Sequence, residues 1–133
     1  MGARLSPMTH ANAITAYYDD LCPICRHEMG AYVNKAPDLI RLHDCNGELP
    51  ADIDRDAALA SLHVRMPDGR VETGWSAFLA IWERMPEESR GLRWLARLTR
   101  PAPIRIVLNQ LYLWLAPLRP RDRCRDGVCE RPN

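Results

Sequence analysis

The sequence predicts an α/β protein: a small mixed sheet flanked by helices, with a helical extension toward the C-terminus. Three observations carry this. The apolar pattern runs strand, helix, strand, helix, hairpin and then helices, an order that suits one sheet with helices packed on it. The chain has 133 residues, 47% of them hydrophobic, enough for one core and too few for two independent domains. Beyond Gly74 the apolar residues recur at helical rather than alternating spacing, which places the remaining elements on helices.

Taken in order, residues 1–12 are polar and expected to form a flexible tail, followed by a domain over 13–118. Ala13 to Tyr18, AITAYY, is rich in strand formers and stops at Asp19-Asp20, a turn signal, so it reads as a buried strand. Pro23 suits a first helical position, where its missing N–H would have no partner. Cys25, Met29, Tyr32, Val33 and Ala36 then recur at helical spacing until Pro37 stops the helix. Leu39, Ile40 and Leu42 mark a second short strand before a loop with Cys45, Asn46, Gly47 and Pro50. Asp54 or Asp56 can cap a short helix running through Leu62.

His63 to Met66 alternates as a strand, Pro67-Asp68-Gly69 is a turn, and Arg70 to Thr73 returns as the hairpin partner. Trp75, Phe78, Leu79 and Trp82 fall at i, i+3, i+4 and i+7, giving an amphipathic helix that ends near Pro86. Leu92, Leu95 and Leu98 form the stripe of another helix. Ile104, Val107, Leu108, Leu111 and Leu115 form the stripe of a last one, beyond Pro101-Ala102-Pro103. Trp75, Trp82, Trp94 and Trp114 stand among these apolar positions, and core packing is expected of them. Residues 119–133 are an arginine- and cysteine-containing tail.

Eighteen basic and seventeen acidic residues leave a formal charge of +1, so no global field draws the chain to nucleic acid or anionic lipid. The arginines of RPRDRCRDGVCER are interleaved with acids and lack aromatics, the pattern of a solvated tail rather than a nucleic-acid site. The opening MGARLSPMTHAN has neither the apolar run nor the small-residue cleavage site of a secretory signal, and a cytoplasmic setting is expected. Ile104 to Leu118 is interrupted by Arg105, Asn109 and Gln110 and falls short of the roughly 20 residues a spanning helix needs. No transmembrane segment is expected; that stretch reads as a soluble helix, with a peripheral membrane role as the alternative that the sequence alone does not support.

The chemistry concentrates in Tyr17 to Met29, YYDDLCPICRHEM. Five cysteines are an odd count, and without an export signal they read as a catalytic, metal or buried set rather than a disulfide framework. With Cys22 at the helix cap and Pro23 behind it, the Cys22 sulfur can accept the amides of Ile24 and Cys25, which a thiolate does better than a thiol. The helix dipole adds only about 0.3–1 kcal/mol, so Arg26 or His27 must contribute, while Asp19 and Asp20 oppose. Cys22 is then the attacking nucleophile. Cys25, one turn further in and expected to be the more buried, resolves the intermediate.

Asp19, if buried beneath the pair, can act as the general base that takes the Cys25 proton; alternatively the acids only form an Asx turn ending the strand. Tyr18 and Pro23 flank the pair, His27 lies one turn away or is simply exposed, and Trp75 is placed to border the site. Structural cysteines and a metal half-site stay open. Cys124 and Cys129 enclose Arg-Asp-Gly-Val, and Asp126-Gly127 is a turn signal able to bring them together. They are candidates for a second redox pair, a staple or free thiols. Four thiolates from Cys22, Cys25, Cys124 and Cys129 would also suit tetrahedral zinc. Cys45 reads as a lone thiol, and His43 and His63 as surface residues.

The run Tyr18-Asp19-Asp20-Leu21-Cys22-Pro23-Ile24-Cys25 resembles the DCC family of thiol-disulfide oxidoreductases, whose signature is Asp-x-x-Cys-x-x-Cys. LHVRMPDGRVETGWSAFLAIWERMP is similar to that family's hairpin and following helix, and the helix with Leu111, Tyr112 and Trp114 to its C-terminal part. Cys124-x-x-x-x-Cys129 is similar to its second cysteine pair. The resemblance implies a thioredoxin-like fold and disulfide exchange with a protein or small-molecule thiol, with no organic cofactor. Two departures stand out: Asp20 where members usually carry Gly, and Ser61-Leu62 where thioredoxins place a cis-proline. The rival readings are a zinc-binding module and a redox-inert α/β interaction module.

Overall fold

The computed structural model describes residues 12–118, 124–125 and 128–129. The central strand β1 (Ile14–Tyr18) pairs parallel with β2 (Ile40–Asp44) and antiparallel with β3 (His63–Arg65), which pairs antiparallel with β4 (Val71–Thr73). The strand order β2-β1-β3-β4, with α1 (Pro23–Lys35) between the parallel strands and α3 (Trp75–Trp82) after the hairpin, is a thioredoxin-like arrangement. Because side chains alternate along a strand, β1 feeds two apolar clusters. Ile14 and Ala16 enter the main core with Met29, Ile40, Val64 and Ile81. Tyr17 joins a smaller one with Cys45, Ile53 and Ala58.

The helix ends follow local chemistry. Cys22 caps α1, Pro23 is its first residue, and the Ala36 N–H returns to the Tyr32 carbonyl just before Pro37. Of the two possible caps for α2 (Arg55–Ala60), Asp54 is the one used: its carboxylate accepts the Ala57 N–H at 2.9 Å. α1 is tied to α3 through Tyr32, whose hydroxyl donates to Glu28 at 2.8 Å and accepts from the Trp82 indole at 2.9 Å. Burial pushes the Tyr32 phenol well above its ordinary range, so it stays protonated.

Beyond α3, a short 3-10 turn (Glu87–Ser89) leads to α4 (Arg90–Thr99) and α5 (Ala102–Leu115), which contact each other, and a second such turn (Ala116–Leu118) follows α5. Asn109 of α5 reaches back to the start of α3, where its Oδ1 accepts the Trp75 N–H at 2.8 Å. That contact requires Gly74: its φ is +62°, and a Cβ there would stand 2.1 Å from the same oxygen. Two short strands, β5 (Cys124–Arg125) and β6 (Val128–Cys129), pair antiparallel with Cys124 opposite Cys129.

Three expectations fail, each on tertiary cover. Trp75 and Trp82 pack inside, but Trp94 is 61% and Trp114 78% exposed. On α4 the buried residues are Ala96 and Thr99 rather than the Leu92-Leu95-Leu98 stripe, of which Leu95 and Leu98 are exposed. The small side chains allow close approach, and Thr99 Oγ1 accepts the Trp75 indole N–H at 3.1 Å. His63 is buried, with Nδ1 2.9 Å from the Ser61 carbonyl, because its strand lies between β1 and β4.

Candidate functional site

The turn from β1 into α1 is built by carboxylates and one amide. The Cys22 N–H donates to the Asp19 carbonyl at 3.1 Å, closing a tight turn. The Asp19 side chain is 2% exposed, and its Oδ1 accepts the Leu21 N–H at 3.1 Å, the Asx turn anticipated from sequence. The same oxygen also accepts Asn46 Nδ2 at 2.9 Å. Asn46 in turn donates to Asp44, whose Oδ1 also takes the Asp20 N–H at 3.2 Å. This loop-to-loop bracket, from Asn46 and Asp44, carries no motif signal; only its position after a parallel strand points toward the site.

Asp20 does not face the sulfur as a bare charge. Its carboxylate accepts the Tyr18 hydroxyl at 2.7 Å, and its carbonyl accepts Arg26 at 2.9 Å. Tyr18 therefore meets Asp20, and Arg26 the backbone of the turn.

Cys22 occupies the cap position foreseen for it. Its sulfur accepts the Cys25 N–H at 3.3 Å, at the amide-rich start of a 13-residue helix. The expected order of exposure is reversed, however. Cys22 is fully buried at 0%, whereas Cys25 is half-buried and the more accessible of the two. The reason is geometric: the cap residue is folded under the turn, while Cys25 in the first helical turn borders an open cavity. Cys45 is buried within the second cluster, beside Tyr17, Ile53 and Ala58.

A cavity of about 60 Å³ opens beside the pair. Tyr18, Asp19 and Cys25 line it from the N-terminal half, and Phe78 and Tyr112 from α3 and α5. Tyr112 was not legible as a site residue: it lies 50 positions from Leu62, whose N–H it accepts at 2.8 Å. That bond occupies the backbone at Ser61-Leu62, the stretch standing where thioredoxins carry the cis-proline. Exposed Ile24 borders the same cavity.

The remaining predicted residues separate from the centre. His27 is exposed, and Pro23 serves as first helical residue. Trp75 does not line the cavity; its ring packs on Phe78, which does, at 6.1 Å between centroids. Among the described residues no three His, Cys, Asp or Glu side chains gather as a metal-holding cluster. The side chains of Cys124 and Cys129, which the zinc and second-pair readings need, lie outside the described residues.

A family model described as DCC1-like thiol-disulfide oxidoreductase matches residues 16–125, a span that contains Asp19, Cys22 and Cys25. No curated protein and no solved structure matches the chain.

Proposed function

We infer the function from one premise: the chain belongs to the DCC1-like thiol-disulfide oxidoreductase family. On that premise Cys22 and Cys25 are the redox pair. The observation that carries the reading is the Cys22 sulfur at the helix cap, 3.3 Å from the Cys25 amide that it accepts. Amides and dipole at a helix N-terminus favour a sulfur anion. The Cys22 thiolate attacks a substrate disulfide, forming a mixed disulfide and releasing the first substrate sulfur. Cys25 then loses its proton and attacks the Cys22 sulfur. The Cys22–Cys25 bond forms, the second substrate sulfur leaves, and two electrons pass to the substrate. Asp19 receives the Cys25 proton; its support is that it lines the same cavity. The substrate is a protein or small-molecule thiol or disulfide, and the cytoplasmic setting expected from sequence would supply such thiols.

The order of exposure favours a second assignment of roles. Cys25 is the sulfur an incoming substrate meets first, and Cys22 is the resolving thiolate. Run in reverse, substrate thiolate attacks Cys25 of the oxidised pair and Cys22 leaves as the amide-stabilised anion. Cys25→Ser and Cys22→Ser variants separate the two. Under the first assignment Cys25→Ser accumulates mixed disulfides with an added disulfide substrate and Cys22→Ser does not; under the second the pattern inverts. Trapping by neither variant removes the exchange reading. Stoichiometric zinc in anaerobically purified protein, lost with either cysteine pair, would replace it with the zinc-module reading.

A further inference from the structure

The exposed large hydrophobic side chains of the described residues are concentrated in one segment. Among the described residues, every exposed large hydrophobic side chain except Ile24 lies between Trp94 and Leu118. α5 has no fully buried residue. Asn109 and Tyr112 mark its inner side, bonded to Trp75 and Leu62. At 100° per residue the opposite arc holds Val107, Gln110, Leu111 and Trp114, which line a shallow open groove with Ile106 and Leu113 on its flank. Soluble chains rarely leave so continuous an apolar face uncovered.

Charge selects what covers it. From Arg90 to Leu118 the sequence carries Arg90, Arg93, Arg97, Arg100 and Arg105 and no Asp or Glu at all. Arg100 is paired with Glu83, and Arg90, Arg93 and Arg97 stand exposed along one edge of α4. On the helical wheel that edge adjoins exposed Trp94 and Leu98. Arg93 and Arg97 share a pocket with Arg100 and its partner Glu83, which leaves an excess of positive charge on α4. Exposed apolar side chains with arginine and tryptophan on the adjoining helix are the pattern of helices lying in a bilayer interface, tryptophan at headgroup level and arginine on lipid phosphates. A second copy seated here would bury these arginines with no Asp or Glu of the same segment to pair them, which desolvation opposes. A helix of 14 residues is too short to span, and no described helix is long and apolar enough to cross a membrane.

We propose that the outer face of the α4–α5 pair is a docking surface for an anionic lipid bilayer, on which both helices lie in the interfacial plane. The proposal is independent of the redox reading. The full chain is mixed with vesicles of phosphatidylcholine plus phosphatidylglycerol, or of phosphatidylcholine alone, and the bound fraction measured by sedimentation. The expected result is partitioning onto the anionic vesicles at least about tenfold stronger than onto the neutral ones. Arg93→Gln with Arg97→Gln should weaken anionic binding about tenfold, and Trp114→Ser with Leu111→Ser should weaken it as much, with far-ultraviolet circular dichroism unchanged. Trp114→Ser alone replaces the double variant if the latter melts earlier. Absence of binding to anionic vesicles overturns the proposal, as does undiminished binding by the Trp114 variant. A stable dimer that Trp114→Ser dissociates, without vesicle binding, overturns it in favour of a second copy on this face.

Discussion

The β1–α1 turn and the α4–α5 pair are attached to the same sheet by opposite means. At the turn, polar groups are buried and hydrogen-bonded to one another: Asp19 is held by Leu21 and Asn46, and Asp20 by Tyr18. The pair instead leaves much of its apolar surface outside and reaches the body through polar pins, Asn109 on Trp75 and Tyr112 on Leu62, together with ring packing of Tyr112 on Phe78 at 5.2 Å. The contrast teaches that burial tracks position here, not residue type. The turn is held because its buried donors and acceptors are matched, where an unmatched one is costly.

Substitutions break this contrast in a definite order. Asp19→Leu removes the acceptor of two buried donors and should lower stability by about 4 kcal/mol, read by urea unfolding; a loss below about 1 kcal/mol would show that the bracket is not structural. Gly74→Ala forces a Cβ into Asn109 at a positive φ, and about 3 kcal/mol is expected, with α5 loosened from α3. Enhanced amide exchange over 102–115 would report the loosening. Tyr112→Phe leaves the Leu62 N–H unanswered beside the cavity, costing about 1–2 kcal/mol; alkylation of Cys25 should also speed up, since that side chain helps wall the cavity. Trp114→Ser, on the outer face, should stay within about 0.5 kcal/mol by the same unfolding assay.

The smallest effect belongs to the rim of the sheet. Arg65 hydrogen-bonds the Asp52 carboxylate at 2.7 and 2.8 Å and holds its carboxyl below the usual carboxylate range. A carboxyl lowered in the folded state contributes stability above its unfolded value, and that contribution is lost as pH falls through the lowered one. Asp52→Asn should therefore lower stability slightly at neutral pH and leave it unchanged at acid pH, flattening the acid limb when urea unfolding is followed across pH.

What the sequence made legible was local. Cys22-Pro23 at a helix start, Asp54 as a cap and Pro67-Asp68-Gly69 as a turn are settled by backbone chemistry within a few residues, and they stand where expected. The order of elements along the chain, strand, helix, strand, helix, hairpin and then helices, followed from period and spacing. The failures concern what lies on the far side of an element. Apolar spacing marked a face on α4 and α5 without saying whether anything covers it, so Trp94 and Trp114 were placed inside. Exposure of Cys22 and Cys25 likewise depends on the fold over the turn, not on their order in the helix. Asn46, Phe78 and Tyr112 reach the site from distant segments and carry no motif.

The most direct test of the central claim is a titration of the chain through glutathione redox buffers, with disulfides mapped by mass spectrometry of alkylated peptides. A reversible two-electron transition in which Cys22 becomes linked to Cys25, with Cys45 reduced throughout, is the predicted result. If Cys22 and Cys25 stay free under conditions that oxidise the glutathione pool, or Cys22 joins only some other cysteine, disulfide exchange at this turn is contradicted.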